Sequence, residues 1–302
     1  MISCSIIIPT LNAGNLLPTL VASLRRQSLD PQEIIVIDSA SEDHTAAEAN
    51  RLGCRFVSIP RAAFNHGSTR NQAAGLATGD ALVFMTQDAL PTSDTFLEEL
   101  LKPLASGEAC ATYARQIAYP SARPSERFAR SFNYPPGSEV RTKKSIRTLG
   151  IRTFFFSNVA SAIRRDVFFE MGMFPDTVIM NEDMLFCSAL IESGLTVMYA
   201  AEAEVFHSHD YTVAQTFQRY FDIGAFFSKN MEKKYALGTG STGASYTKNL
   251  LLFLLQNKHF YDIPFFIMET CAKFLGFHSG RMEAYIPVTL KKKLSLHKFY
   301  WK

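Results

Sequence analysis

No apolar run in the 302-residue sequence approaches the roughly 18 residues that span a bilayer, so no membrane-spanning helix is expected. The opening Met1-Ile2-Ser3-Cys4-Ser5 lacks the basic region and long apolar stretch of a secretion signal, which predicts a cytosolic chain. Cysteine is scarce: Cys4, Cys54, Cys110, Cys187 and Cys271 are odd in number, scattered and without a CxxC spacing. That pattern argues against a disulfide framework or a zinc cage and predicts reduced, mostly buried thiols. Charged residues, at 20%, fall a little below the roughly 25% of soluble domains, and repeats and low-complexity tracts are missing. What the chain does have is apolar mass. With 47% apolar residues it can fill the core of one large or two modest domains, and wholesale disorder is excluded.

Strand and helix signals alternate through the first hundred residues. Ser5-Ile6-Ile7-Ile8, stopped at Pro9, and Glu33-Ile34-Ile35-Val36-Ile37-Asp38 are β-branched runs of the kind buried on both faces. Between them Leu16, Leu17, Leu20 and Leu24 form one helical stripe, with Asn12 or Asn15 as its cap. A helix over 45–52, a strand over 55–59, a helix near 69–77 and a strand over 81–85 follow. This βαβαβαβ order predicts an α/β fold with a parallel, doubly wound sheet and right-handed crossovers. The pattern loosens over 120–150, where prolines stand among Arg and Ser and one short helix is expected. Regularity returns over 158–164, then come a helix from near Asp166, a helix over 184–193, and two strands over 196–200 and 204–207. Helices are expected from Thr212 to the end. The chain therefore divides into a catalytic domain, 1–215, and a helical region, 216–302.

Open parallel sheets bind ligands at the C-terminal ends of their strands, which draws attention to Thr10, Asn12, Asp38, Gln87 and Asp88. The GxGxxG of a dinucleotide fold is missing: Pro9-Thr10-Leu11-Asn12-Ala13-Gly14 stands after the first strand and makes an NAD enzyme a poor fit. Asp38, ending the second strand before a polar turn, can accept a hydrogen bond from a nucleobase; helix capping, by Asp43 above all, accounts for the same segment. Asn65-His66-Gly67-Ser68-Thr69-Arg70-Asn71 enters a helix whose N-terminus suits phosphate, with Arg70 as the charge partner. Asp88, in Thr86-Gln87-Asp88-Ala89-Leu90-Pro91, suits Mg²⁺ or Mn²⁺. His207-Ser208-His209-Asp210 offers a further ligand if it lies in a strand, where i and i+2 share a face; a plain surface His pair is the alternative. Asn181-Glu182-Asp183 opens a helix, where the macrodipole favours adjacent carboxylates and where one of them can act as a general base.

Taken in order, these segments resemble family 2 glycosyltransferases over about residues 3–215. The resemblance rests on Ser5-Ile6-Ile7-Ile8-Pro9-Thr10-Leu11-Asn12, the Asp38 segment, Arg70-Asn71, Gln87-Asp88-Ala89 and Glu182-Asp183. It implies the GT-A fold, a Rossmann-like, mostly parallel sheet flanked by helices, here with a C-terminal helical extension. It also implies inverting transfer from a nucleotide sugar. Pro9, Thr10, Asn12, Asp38, Asn71 and Gln87 would then face the donor, and Arg70 its diphosphate. Asp88 would be the last position of the Asp-x-Asp metal motif, with His207 as an added ligand for Mg²⁺ or Mn²⁺. Asp183, beside Glu182, would be the catalytic base. The first Asp of Asp-x-Asp is Thr86 here. A narrower resemblance is to bacterial rhamnosyltransferases. It is carried by Met85–Pro91, Ala114-Arg115-Gln116 with Ser131-Phe132-Asn133-Tyr134-Pro135, and Lys293-Leu294-Ser295-Leu296-His297-Lys298. This implies dTDP-L-rhamnose as donor and a lipid-linked polysaccharide, such as O-antigen or a cell-wall glycan, as acceptor.

Competing functions are a UDP-sugar donor, a nucleotidyltransferase, or a non-catalytic sugar-nucleotide or membrane module. A nucleotidyltransferase should show a Gly-rich loop with Lys or Arg after the first strand, and residues 11–17 hold none. From Lys229 onward the chain carries 12 Lys/Arg against 4 Asp/Glu, while residues 1–228 carry 19 against 24. This basic, Phe-rich end on an acidic body predicts peripheral attachment to the inner face of the cell membrane; a merely solvated helical face or a subunit contact in a homo-oligomer would look similar. No nucleic-acid partner is expected.

Overall fold

The computed structural model of the protein describes residues 2–230 and 239–302; Met1 and residues 231–238, part of the basic tail expected to be helical, lie outside the described residues. The chain falls into two compact units. The first takes in the residues up to Ile117, Tyr134–Thr177 and Glu182–His207. The second comprises Ala118–Asn133, Val178–Asn181 and Ser208–Lys302, so the 118–133 segment groups with the C-terminal helices.

The first unit begins with β1 (Cys4–Thr10), α1 (Leu17–Arg25), β2 (Glu33–Asp38), α2 (Thr45–Arg51), β3 (Arg55–Ser58), α3 (His66–Ala74) and β4 (Ala81–Met85). These strands lie in the order β3-β2-β1-β4, all parallel, with Ile6 beside Ile34 on one flank and Val83 on the other. Ile6, Ile7 and Ile8 are fully buried because helices cover both faces of a doubly wound sheet. Leu17, Leu20, Val21 and Leu24 of α1 pack on Ile6, Ile8 and Val36. The expected asparagine cap of α1 is not used. Leu16 stands at its N-cap, and Asn12, at φ 51°, accepts instead from the amide of Glu42.

After β5 (Leu90–Pro91), α4 (Phe96–Ala105), β6 (Ala111–Ile117), α5 (Pro124–Asn133, in the second unit), β7 (Glu139–Arg141) and α6 (Ile146–Leu149), the chain enters β8 (Ala160–Arg164). There follow α7 (Arg165–Glu170), α8 (Glu182–Glu192) and β9 (Val197–Phe206). β8 runs antiparallel to both β4 and β6, so the sheet is parallel in its first half and mixed beyond it. Hydrophobic runs report burial rather than direction, which is why the sequence does not reveal the reversal. The two strands expected over 196–200 and 204–207 are one ten-residue strand. Against β6 its register jumps from Ala200 to Glu204, leaving 201–203 as an irregularity where Glu202 points to solvent. That exposed glutamate looks like a turn in the sequence.

The second unit is helical: α5 with α9 (Val213–Asn230), α10 (Thr239–Gln256), α11 (Ile263–Arg281) and α12 (Val288–Leu294). α9 and α11 meet through Gly224, Gly276 and Gly280. A Cβ at these positions would lie 2.1, 2.4 and 2.0 Å from the carbonyl oxygens of Phe277, Phe217 and Phe221, so only glycine permits this approach. The C-terminal segment folds back onto α9. Asp222 Oδ2 accepts from the amides of Leu296 and His297 at 2.9 and 3.3 Å, and the buried Glu283 pairs with Lys229 and Lys291 beneath Trp301. Among the described residues no helix is long and apolar enough to cross a membrane.

Candidate active site

The C-terminal edges of β1 and β2 form a self-supporting loop pair. Thr10 Oγ1 donates to Asp38 Oδ1 at 2.9 Å, and Ser41 contacts both oxygens of Asp38, through its amide at 2.8 Å and its hydroxyl at 2.5 Å. The Asn12 amide donates to Ser41 Oγ at 2.7 Å. Gln87 clamps the same loop from beyond β4, accepting from the Leu11 amide at 2.8 Å and donating to its carbonyl at 3.2 Å. Pro9 lies half-buried in β1 beside Ile37. Thr10, Asn12, Asp38 and Gln87 are thus brought together. Asp38 is 2% exposed, and the partners seen here make it the organiser of the loop. The capping role anticipated for Asp43 is also present, since Oδ1 accepts from the Thr45 amide at 3.0 Å.

α3 sends its predicted residues elsewhere. Its N-terminal amides at Gly67 and Ser68 are met by the Asn65 side chain. Asn71 spends both arms on the backbone of Phe174, at 2.7 and 3.1 Å. Arg70 is buried, with Nη1 donating to the His66 carbonyl at 2.8 Å and lying 3.2 Å from Glu182 Oε1. The arginine expected at a diphosphate is therefore turned toward the acidic pair.

That pair opens α8. Glu182 is buried between Arg70 and Asn158, whose Nδ2 donates to Oε1 at 3.2 Å. Asp183 Oδ2 accepts from the Asn158 amide at 3.0 Å, and Oδ1 from the Met184 amide at 2.8 Å. Part of the Asp183 surface stays accessible. Its carboxyl is nevertheless pushed up to about 7, first by burial and then by the neighbouring Glu182 charge, against the opposing pull of the two amides and Arg70. A carboxylate poised there can take a proton near neutral pH.

Asp88 and His207 form a second pair, with Nε2 3.6 Å from Oδ2. His207 lies one residue beyond β9, so strand alternation does not place it; its amide still donates to the Ile117 carbonyl at 2.9 Å. Gln116 orients the ring. Its Nε2 donates to Tyr134 Oη and Ser157 Oγ at 2.5 and 2.9 Å, which leaves Oε1, 2.9 Å from His207 Nδ1, as an acceptor. Nδ1 then carries the proton, and the Nε2 lone pair faces Asp88 as a metal ligand requires. One imidazole and one carboxylate suit Mn²⁺ or a similar divalent ion. Thr86, in place of the usual acid, keeps a buried hydroxyl for which no partner is found. The residues present fit a metal with two side-chain ligands.

Asn158 and the Gln116–Ser157 link carry no mark in the sequence as site residues. A lone Asn entering a strand looks like a turn residue. The only signal was Gln116 within the rhamnosyltransferase-like segment. Because Ser157 and Asn158 are consecutive, the loop that supports the His207 network also holds Asp183.

A sequence profile described as glycosyl transferase family 2 matches residues 5–172. The chain is similar to the O-antigen chain rhamnosyltransferase RfbN of Salmonella typhimurium, at 38% identity over 98% of this chain and 95% of that protein. It is also similar to WbaN of Salmonella anatum, at 38% identity over 100% and 96%. Among solved structures, the mannosyltransferase PcManGT of Pyrobaculum calidifontis, in complex with GDP-Man and Mn²⁺, superposes with a TM-score of 0.59 at 18% identity, over 99% of this chain and 86% of that one. TarS 1–349 of S. aureus with UDP-GlcNAc gives 0.53 at 16% identity, over 99% and 88%. The fold is GT-A.

Proposed function

The chain belongs to glycosyl transferase family 2, and from that premise we propose that it transfers L-rhamnose from dTDP-L-rhamnose to a hydroxyl of a lipid-linked polysaccharide, with inversion at the anomeric carbon. The observation that carries the chemistry is Asp183, ionisable near neutrality and held by the Asn158 amide with part of its surface open. Similarity along the whole chain to two O-antigen rhamnosyltransferases supports the choice of sugar.

In this scheme Asp183 removes the acceptor hydroxyl proton as that oxygen attacks the anomeric carbon. The bond from that carbon to the diphosphate breaks, and dTDP leaves with the electron pair. Glu182 and Arg70 hold the helix start and set the local charge. The loop built on Pro9, Thr10, Asn12, Asp38 and Gln87 receives the base and ribose. A divalent cation held by Asp88 and His207 would neutralise charge on the departing diphosphate. The basic C-terminal helices keep the enzyme at the inner membrane face, near its acceptor.

Incubating the purified chain with dTDP-rhamnose, UDP-glucose, UDP-GlcNAc and GDP-mannose, and following nucleotide release, tests the donor. Preferential release of dTDP is expected. A clear preference for a UDP sugar would reassign the donor, and no release from any of them would argue for a binding module.

A further inference from the structure

α11 carries an unusual outer face. Ile267, Met268, Phe274 and Leu275 are each more than half exposed, and Cys271 and Met282 extend the row at helical spacing. In a helix of 19 residues, about 28 Å long, this stripe is interrupted by the exposed His278, whose ring lies 4.3 Å from that of Phe274, and holds no Lys, Arg, Asp or Glu until Arg281. The opposite face is committed to α9 through Gly276 and Gly280, so α11 cannot rotate to hide the stripe.

Charge indicates the occupant. Among the described residues two acids of this region are spent internally: Glu269 pairs with Lys273 at 2.9 Å, and Glu283 is buried against Lys229 and Lys291, while Asp262 stands half-buried at the N-cap of α11. Lys248, Lys258, Arg281, Lys292, Lys293 and Lys298 remain at the surface. Lys258 and the fully exposed Tyr261 precede the stripe, and Arg281 and Tyr285 stand at its far end. A basic and an aromatic residue at each end of an apolar stripe is the arrangement of a helix lying in a lipid headgroup layer, its long cationic side chains reaching outward. A second copy of the chain would set the same positive surplus against itself, whereas an anionic leaflet brings the complementary sign.

We propose that the outer face of α11, from Ile267 to Met282, is the surface that seats in an anionic lipid layer, with the helix lying in the plane of the membrane. The assignment deepens the membrane attachment proposed above and rests on it.

Cys271 supplies a probe without mutation, because it lies in the stripe and the other four cysteines are buried. The full chain is labelled there with an environment-sensitive fluorophore and mixed with vesicles of equal parts phosphatidylcholine and phosphatidylglycerol. A several-fold brightening with a blue shift is expected, weaker on pure phosphatidylcholine and reduced by salt. In sedimentation with the same vesicles, the unlabelled Phe274→Ser/Leu275→Ser variant should lose binding at least tenfold while releasing nucleotide from dTDP-rhamnose at the wild-type rate without vesicles. Should that pair fail to fold, Ile267→Gln serves the same test. Vesicle binding by the wild type with no fluorescence response, or undiminished in the variant, would assign attachment to another surface. No vesicle binding at all would reject membrane attachment itself. A fluorescence change that follows protein concentration without lipid would make the stripe a contact between copies. Nucleotide release is read separately, so loss of transfer chemistry is distinguishable from loss of the surface.

Discussion

Each unit contains an aspartate whose carboxyl is pushed upward, first by loss of surrounding water, to about 7 for the half-buried Asp183 and about 6 for the buried Asp222. Their surroundings differ. Asp183 begins a helix, keeps part of its surface accessible and faces another carboxylate, Glu182. Asp222 lies in the middle of α9, wholly enclosed, with Oδ2 engaged by the backbone of 296–297. A raised proton affinity therefore does not by itself mark a catalytic group. Accessibility decides: the first carboxylate can meet a substrate, and the second holds the chain terminus in place.

The largest effect expected from breaking this contrast is at Asp183. Asp183→Asn should lower rhamnosyl transfer by roughly 10²–10⁴-fold in protein that remains folded at the assay temperature. The equivalent Asp222→Asn should leave turnover within about twofold. Equal losses in both variants, measured as initial rates, would erase the distinction.

Next comes the network behind His207. Gln116→Leu removes the acceptor at Nδ1, and Mn²⁺ affinity, followed by titration in the absence of donor, should weaken about 10–100-fold. Chelation by EDTA should lower wild-type activity, and added Mn²⁺ should restore it. Full activity in EDTA would remove Asp88 and His207 from any metal role.

Asp222→Ala is the structural counterpart. It strips the acceptor from two half-buried amides and should cost about 1 kcal/mol or more in thermal or denaturant unfolding, with donor hydrolysis preserved at temperatures below the transition.

The last contrast lies in the pH slopes. Both aspartates bind their protons more tightly folded than unfolded, so each contribution is fully present below the ordinary carboxylate value and is lost as pH rises. For Asp222 the loss should run from about 4 to about 6, and for Asp183 to about 7. Activity should move the opposite way and rise through about 7 as Asp183 ionises. Melting curves of wild type and Asp222→Asn across this range should converge at low pH; parallel curves would contradict the assignment.

The parallel half of the fold was legible because β1, β2 and β4 are continuous apolar runs, and burial on both faces leaves that mark locally. The antiparallel β8 and the single long β9 were not, because direction and pairing depend on which strands arrive beside them. Among site residues, Asp88, His207, Glu182 and Asp183 stand in recognisable segments. Asn158 does not, since its importance comes from an amide and a side chain reaching two carboxylates more than twenty positions later.

The amino-acid sequence by itself determined the layered α/β core, the placing of polar residues at strand ends and the basic character of the C-terminal helices, since periodicity and composition are local properties. Tertiary structure alone decided where the side chains go. Arg70 turns to Glu182, 112 positions away, instead of outward, and Asp38 closes on Thr10 and Ser41. It also decided which side of α11 is outermost. That helix is apolar nearly all round, and only the close approach of α9 to Gly276 and Gly280 selects the buried face and leaves Ile267, Phe274 and Leu275 uncovered.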